Sequence, residues 1–206
     1  KELLETFKKL DTNILVLVGN NLEAEFCQNS ILEKRPDLHL LFGFQNSAGH
    51  REGAKSIAAR LPVTKLFVGG LHNAASETDL VAIQKAFNPK DVKITPVDNM
   101  YAYYLCHVAE VMPYGYMCYK VDGNLKKLQR RDIKTIMQAT KECFAYLKST
   151  GIEVMPKGED KFYNGGIKTY AMFLLYRIMS KTILGQLMVA DSVSHPFFSM
   201  PNNESM

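Results

Sequence analysis

The sequence predicts an α/β fold with a largely parallel sheet, followed by an all-α second half. Three observations carry that prediction. Short, continuous apolar runs end in turn-forming residues, as in "ILVLVGNN", "LHLLFGF" and "TKLFVGG", and such runs suit strands buried on both faces. Segments of helical period separate them, the alternation expected of strand–helix–strand units. Beyond Asp98 the strand signals cease and three long helical patterns follow.

Taken in order, Leu3, Leu4, Phe7 and Leu10 set a helical spacing over residues 1–10. The pattern is already running at Lys1, so the chain is expected to be part of a longer one. "TNILVLVGNN" reads as the first strand, and an amphipathic piece at 22–34 ends at "KRPD". "LHLLFGF" is the second strand. "GFQNSAGHREG", residues 43–53, then reads as a tight loop whose backbone amides could face a phosphate or a nicotinamide amide. "AKSIAARLPV" stays open between helix, from its alanines, and hairpin, from Pro62 before the next strand. "TKLFVGG" is a third strand, "ETDLVAIQKAF" an amphipathic helix and "DVKITPV" a short strand. Helices are expected over 99–121, 130–149 and 167–190, with Gly151 at the C-terminal cap of the second. The expected domains are residues 1–97 and 98–206.

Composition narrows the function classes. Of 206 residues, 47% are hydrophobic and 22% charged, which suits a folded chain of one large or two small domains. The net charge of +4 is mild. The basic "NLKKLQRRDIK" stretch alternates with Leu and Ile at helical spacing, so it reads as a solvated helix face, and no nucleic-acid partner is expected. The most apolar run, "YAMFLLYRIMSKTILGQLMV", carries Arg177, Lys181, Gly185 and Gln186, a poor membrane span. Cys27, Cys106, Cys118 and Cys143 have neither pairing nor metal-ligand spacing, which suits reduced thiols in a cytoplasmic protein without a metal site.

Candidate chemistry gathers at few places. Gly19, Asn20 and Asn21 end the first strand, where ligands bind in open α/β sheets. The same residues would equally serve as an ordinary strand-to-helix turn with an asparagine N-cap. Asn99, Tyr103, His107, Glu110 and Tyr114 share one face of a helix. His107 suits proton transfer near neutral pH, and Glu110 one turn away could orient it or raise its pKa. A satisfied His–Glu pair at a helix contact is the plain alternative. Pro113 leaves the Ala109 carbonyl without its intrahelical donor, and a kink is expected there. His195 and Glu204 in the tail are the last candidates. The fingerprint G-x-G-x-x-G appears nowhere.

As an ordered set these features resemble the ketopantoate reductase (2-dehydropantoate 2-reductase) family. The resemblance rests on the strand ending in Asn20, on Gly43, Ala48 and Arg51 within "GFQNSAGHREG", on "HVAEVMP" from His107 to Pro113, and on "CFAYLKSTGIEVMP" at 143–156. It spans most of the chain and is closest to a divergent branch of the family. It implies an incomplete Rossmann-type sheet, lacking the Gly-rich first unit, followed by a helical C-terminal domain through which a homodimer could form. It further implies reduction of the ketone of a 2-oxo acid by NADPH, as in pantothenate biosynthesis. By that correspondence Asn20 lies near the nicotinamide and substrate, Ala48 and Gly49 line the nicotinamide side, and Glu204 is a match for a substrate-binding glutamate. The family's catalytic lysine falls on Leu105, and two of its asparagines fall on Ala109 and Pro113. The resemblance therefore leaves two readings. Either His107, supported by Glu110, replaces the lysine in an active reductase, or the chain keeps the fold as a binding or dimerisation module without the chemistry. Another two-domain dehydrogenase with a helical dimerisation domain would share the architecture.

Overall fold

A computed structural model describes residues 6–7, 9–52, 54–59 and 64–186, with the backbone alone for 48–52 and 56–59. Most of the helix expected over 1–10, together with Pro62, His195 and Glu204, lies outside the described residues. The chain divides into two compact units, Lys1–Asn46 with Pro62–Leu105, and Ser47–Leu61 with Cys106–Met206.

In the first unit, β1 (Ile14–Val18), β2 (His39–Gln45), β5 (Thr64–Gly69) and β6 (Val92–Pro96) form one sheet in the order β1-β2-β5-β6. Helix α1 (Ala24–Leu32) links β1 to β2, and α2 (Glu77–Lys85) links β5 to β6. Both linked pairs are parallel, as a helical crossover requires. β2 and β5 are antiparallel, Phe42 opposite Gly69 and Gln45 opposite Leu66. The sheet is thus mixed, with two of its three pairings parallel. The physical reason lies between β2 and β5, where the connection holds the strands β3 (Ala48–Glu52) and β4 (Lys55–Ala59) and no described helix to carry the chain back across the sheet.

The register sorts the side chains. Ile14, Val16, Leu41, Leu66, Val68, Val92 and Ile94 share one face, and Leu80 and Ile83 of α2 pack on it. Phe44 and Phe67 belong to the opposite face, where both meet the Tyr103 ring, at centroid distances of 5.7 and 5.2 Å. β2 is buried on both faces from Leu40 to Gly43, as its continuous apolar run predicts. β1 is not. It is an edge strand among the described residues, half-buried along its length, and Val18 is 47% exposed. A continuous apolar run says that both faces are compatible with burial; only neighbours on both sides deliver it. Gly69 is needed for close approach, because a Cβ there would stand 2.1 Å from the Val97 carbonyl oxygen.

The loop expected over 43–53 is instead the end of β2 followed by β3, and β3 pairs antiparallel with β4, Ala48 opposite Ala59 and Glu52 opposite Lys55. That settles the open choice at "AKSIAARLPV" in favour of a hairpin. Ala54, small and next to Gly53, suits the tight connection.

The second unit takes in that hairpin along with the helices, so it is not purely helical. α3 (Met100–Lys120) runs unbroken through Pro113, and Asn99 opens it, its Oδ1 accepting from the Ala102 N–H at 2.9 Å. α4 (Arg130–Ser149) has the clearest amphipathic pattern, with Ile133, Ile136, Met137, Thr140 and Phe144 buried on one stripe. Its end is a Schellman motif at Gly151, φ +83°. There the Gly151 N–H donates to the Lys148 carbonyl at 3.1 Å and the Ile152 N–H to the Leu147 carbonyl at 3.0 Å. α5 spans Gly166–Met179, shorter than the sequence suggests, and the short α6 (Ile183–Gly185) follows. Ser180 ends α5, and Thr182, with φ −96° and ψ 155°, breaks the helix and caps α6, its hydroxyl accepting from the Gly185 N–H at 3.0 Å. The core of this unit joins Cys106 and Ala109 of α3, Ile133, Met137 and Phe144 of α4, Tyr163, and Phe173 of α5.

Candidate functional site

The polar face of α3 leads into a buried cluster. His107 and Glu110 are both half-buried and one turn apart. Glu110 meets Glu159, in a 3₁₀ turn at Glu159–Phe162, through their side chains. Tyr163 donates its hydroxyl to Glu110 Oε1 at 3.3 Å, and its oxygen lies 2.8 Å from the Tyr176 hydroxyl of α5. A phenol has one proton, so with Tyr163 donating to Glu110, Tyr176 donates to Tyr163. The result is a directed chain of hydrogen bonds, Tyr176 to Tyr163 to Glu110, ending on a pair of carboxyl groups. Tyr176 in turn packs edge-on against Tyr114, ring centroids 5.3 Å apart.

Electrostatics sets the protonation. Burial, with the charge and hydrogen bond of Glu159 added, pushes Glu110 up to about 8. Burial pushes Glu159 up as well, opposed by its hydrogen bond from Glu110 and assisted by the charge of Asp160. Two carboxyl groups in side-chain contact cannot both ionise cheaply without a cation, so the pair retains a proton into the neutral range. Tyr163 and Tyr176 are both raised, chiefly by burial, and stay neutral. His107 moves the other way, lowered by burial to about 4. The expectation that Glu110 raises His107 is therefore wrong in direction. A neutral carboxylic acid offers no charge to hold an imidazolium, and desolvation then decides. Of the pair, Glu110 is the group that carries a transferable proton at neutral pH.

Around this cluster, Cys106 is buried, its sulfur accepting from the Met155 N–H at 3.4 Å, with its thiol raised by burial. Leu105 is half-buried, and nothing ionisable stands at its position. All four cysteines are free. No described helix is long and apolar enough to cross a membrane.

In the first unit, Asn20 follows Gly19 at the carboxyl end of β1 and is exposed. It does not cap α1, whose N-cap is Glu23 without a side-chain bond; Asn21 instead accepts a long contact from the Cys27 sulfur, 3.9 Å. Ala48 and Gly49 lie in the β3–β4 ladder opposite Ala59 and Ala58, not in a free loop. A dinucleotide's pyrophosphate needs a glycine-rich turn opening on a helix N-terminus without acids. α1 opens on Glu23 with Glu25 in its first turn, and α2 carries Glu77 and Asp79 in its own. Both termini repel a pyrophosphate, so the described helices α1 and α2 do not fit that part of NADP. The exposed Asn20 amide has the chemistry for a carboxamide or carboxylate alone.

Sequence reasoning found His107 and Glu110 but missed Glu159, Tyr163 and Tyr176. Glu159 sits in "KGEDKFYNGG", which reads as a solvated loop. A usable signal was Tyr176 inside the apolar run "MFLLYRIM", since a buried tyrosine hydroxyl needs a partner. No model of a known protein family matches the chain, and no curated protein matches it.

Proposed function

We propose that the chain is a portion of an oxidoreductase of the ketopantoate reductase type, in which Glu110 delivers the proton when the ketone of a 2-oxo acid is reduced. The reading joins an incomplete Rossmann-type sheet to a helical C-terminal domain and keeps the family's NADPH dependence. The helix N-termini beside the sheet, α1 and α2, carry acids and do not suit the nucleotide's phosphates, so the reading gives this chain the substrate side of the reaction.

The observation that carries it is the geometry at Glu110, a carboxyl group hydrogen-bonded to Tyr163 and set beside a second carboxyl group, Glu159, on the helix where the resembled enzymes place their acid; burial there pushes Glu110 up to about 8. A developing alkoxide needs a donor that is protonated at working pH but not too weak an acid, and a carboxyl group near 8 meets both conditions. The hydroxyl chain from Tyr176 through Tyr163 stabilises the carboxylate left behind. His107, neutral at pH 7, is left a positioning part.

The test is NADPH oxidation by the protein across a panel of 2-oxo acids, ketopantoate included. Glu110→Gln is expected to lower turnover by roughly 10²-fold or more. Because the acid must be protonated, wild-type turnover falls as pH rises through about 8, and the variant lacks that limb. Unchanged turnover in Glu110→Gln would sink the assignment.

A second reading is favoured by Leu105, which can neither donate a proton nor neutralise an alkoxide where the family has lysine. In it the chain is a binding or dimerisation module. Binding of a 2-oxo acid or of NADPH with no turnover of any panel member would select it, and Leu105→Lys alone would then create no activity.

A further inference from the structure

We propose that the groove between α4 and the start of α5 binds a multiply charged small-molecule anion of the phosphate type. The groove is open to solvent and has a volume of about 570 Å³, the size range of a metabolite site. One wall is a single face of α4, where Arg130, Lys134 and Lys141 follow one another at helical spacing. The other wall is the first turns of α5, with Gly166, Thr169 and Tyr170. Met137, Tyr163 and Phe173 add an apolar lining.

Three features separate this from an ordinary solvated face. The lining holds three cations and no carboxylate, whereas a solvated helix face intersperses the signs. Arg130 and Lys134, four residues apart, repel each other, a cost that a bound anion would reverse. The nearby acids are already hydrogen-bonded at the groove's rim: Glu142 accepts from Gln138 at 2.7 Å, and Asp160 pairs with Lys148 at 2.9 Å and accepts from Asn164 at 3.4 Å. Among the described residues none of the three cations has an ion pair. The Arg130 guanidinium lies 5.7 Å from the Phe173 ring centroid, a cation–π contact that favours its placement beside the groove. The apolar lining then suits the organic body of the anion. The volume and the charge together exclude a lone monovalent ion as the best fit.

This inference is independent of the reductase reading, because it is tested by binding alone. Inorganic pyrophosphate is titrated into the protein, followed calorimetrically and by amide chemical shifts. Saturable one-to-one binding is expected, with shifts at Lys134, Lys141 and Gly166. Lys134→Gln/Lys141→Gln is expected to weaken it roughly 10²-fold, about tenfold for each charge-assisted bond removed. Lys65→Gln/Lys90→Gln removes the same charge far along the chain and is expected to change affinity less than about twofold. All four lysines are exposed, so the fold is retained. Failure of pyrophosphate to saturate, equal weakening by both pairs, or tighter binding of a single-stranded oligonucleotide at the same residues would each overturn the proposal.

Discussion

Asp132 and Glu110 are two carboxyl groups of the same unit, and they behave in opposite ways. Asp132, in the first turn of α4, is only 3% exposed yet held below its ordinary pKa. Lys120 bonds it at 2.6 Å and the Gln129 N–H at 2.8 Å. Glu110, one helix earlier and with more exposed area, is pushed up to about 8, first by desolvation of its carboxyl group and then by its neighbour Glu159. Accessible burial therefore does not rank the two. Desolvation of the carboxyl group itself and the sign of its partner do: a cation and a backbone N–H favour the ionised form, and burial beside a second acid favours the neutral one. Asp79 follows the same rule, since the hydrogen bonds of His39 and Ser76 outweigh its desolvation and lower it. One arrangement anchors a helix and the other stores a proton.

That contrast can be broken by substitution. The largest expected effect is from Asp132→Ala, which removes the bonds to Lys120 and to the Gln129 N–H together. A loss of about 2 kcal/mol in urea unfolding at pH 7 is expected, and a loss below about 0.5 kcal/mol would show that the pair is merely decorative. Since the folded pKa of Asp132 is depressed, its contribution is present above the unfolded carboxylate pKa. It disappears as pH falls through the folded value.

Glu110 has the reverse sign. Its folded pKa is raised, so its contribution to stability is complete below the unfolded pKa of about 4.3 and is lost as pH rises towards about 8. Glu110→Gln, which keeps the shape without the titration, is expected to flatten that decline. The variant should be on the order of 1 kcal/mol or more above wild type at pH 8. Parallel stability-versus-pH curves for the two proteins would show that Glu110 titrates normally. The smallest effect is expected at Thr140, a third way of burying a polar group. It is 0% exposed, and its hydroxyl has no hydrogen-bond partner among the described residues. Thr140→Val keeps the shape and removes the unsatisfied group, so a gain of about 0.5 kcal/mol is expected. A loss would reveal a partner for the hydroxyl.

Much of this architecture was legible in the chain. The apolar runs at "ILVLV", "LHLLFGF", "TKLFVGG" and "DVKITPV" are the four strands of the sheet, and the helical periods at 99–121 and 130–149 match α3 and α4 within a residue. Gly151 marked its cap because the left-handed conformation there excludes most other residues. The placement of His107 and Glu110 on one helical face was legible for the same reason, since spacing within a helix is local geometry.

By itself, then, the sequence determined the bounds of the four sheet strands and of α3 and α4 and which residues share a helical face, because propensity, period and capping act within one or two turns of chain; it did not set the end of α5 or the β3–β4 hairpin. Only the tertiary structure decided that β5 runs against β2, that Ala48 and Gly49 sit in a ladder, and that β1 is an edge. It alone brought Glu159, Tyr163 and Tyr176 to Glu110, and Lys120 to Asp132. Those outcomes depend on residues remote in sequence, and the ionisation of a carboxyl group depends on what desolvates it and on the charge that stands beside it.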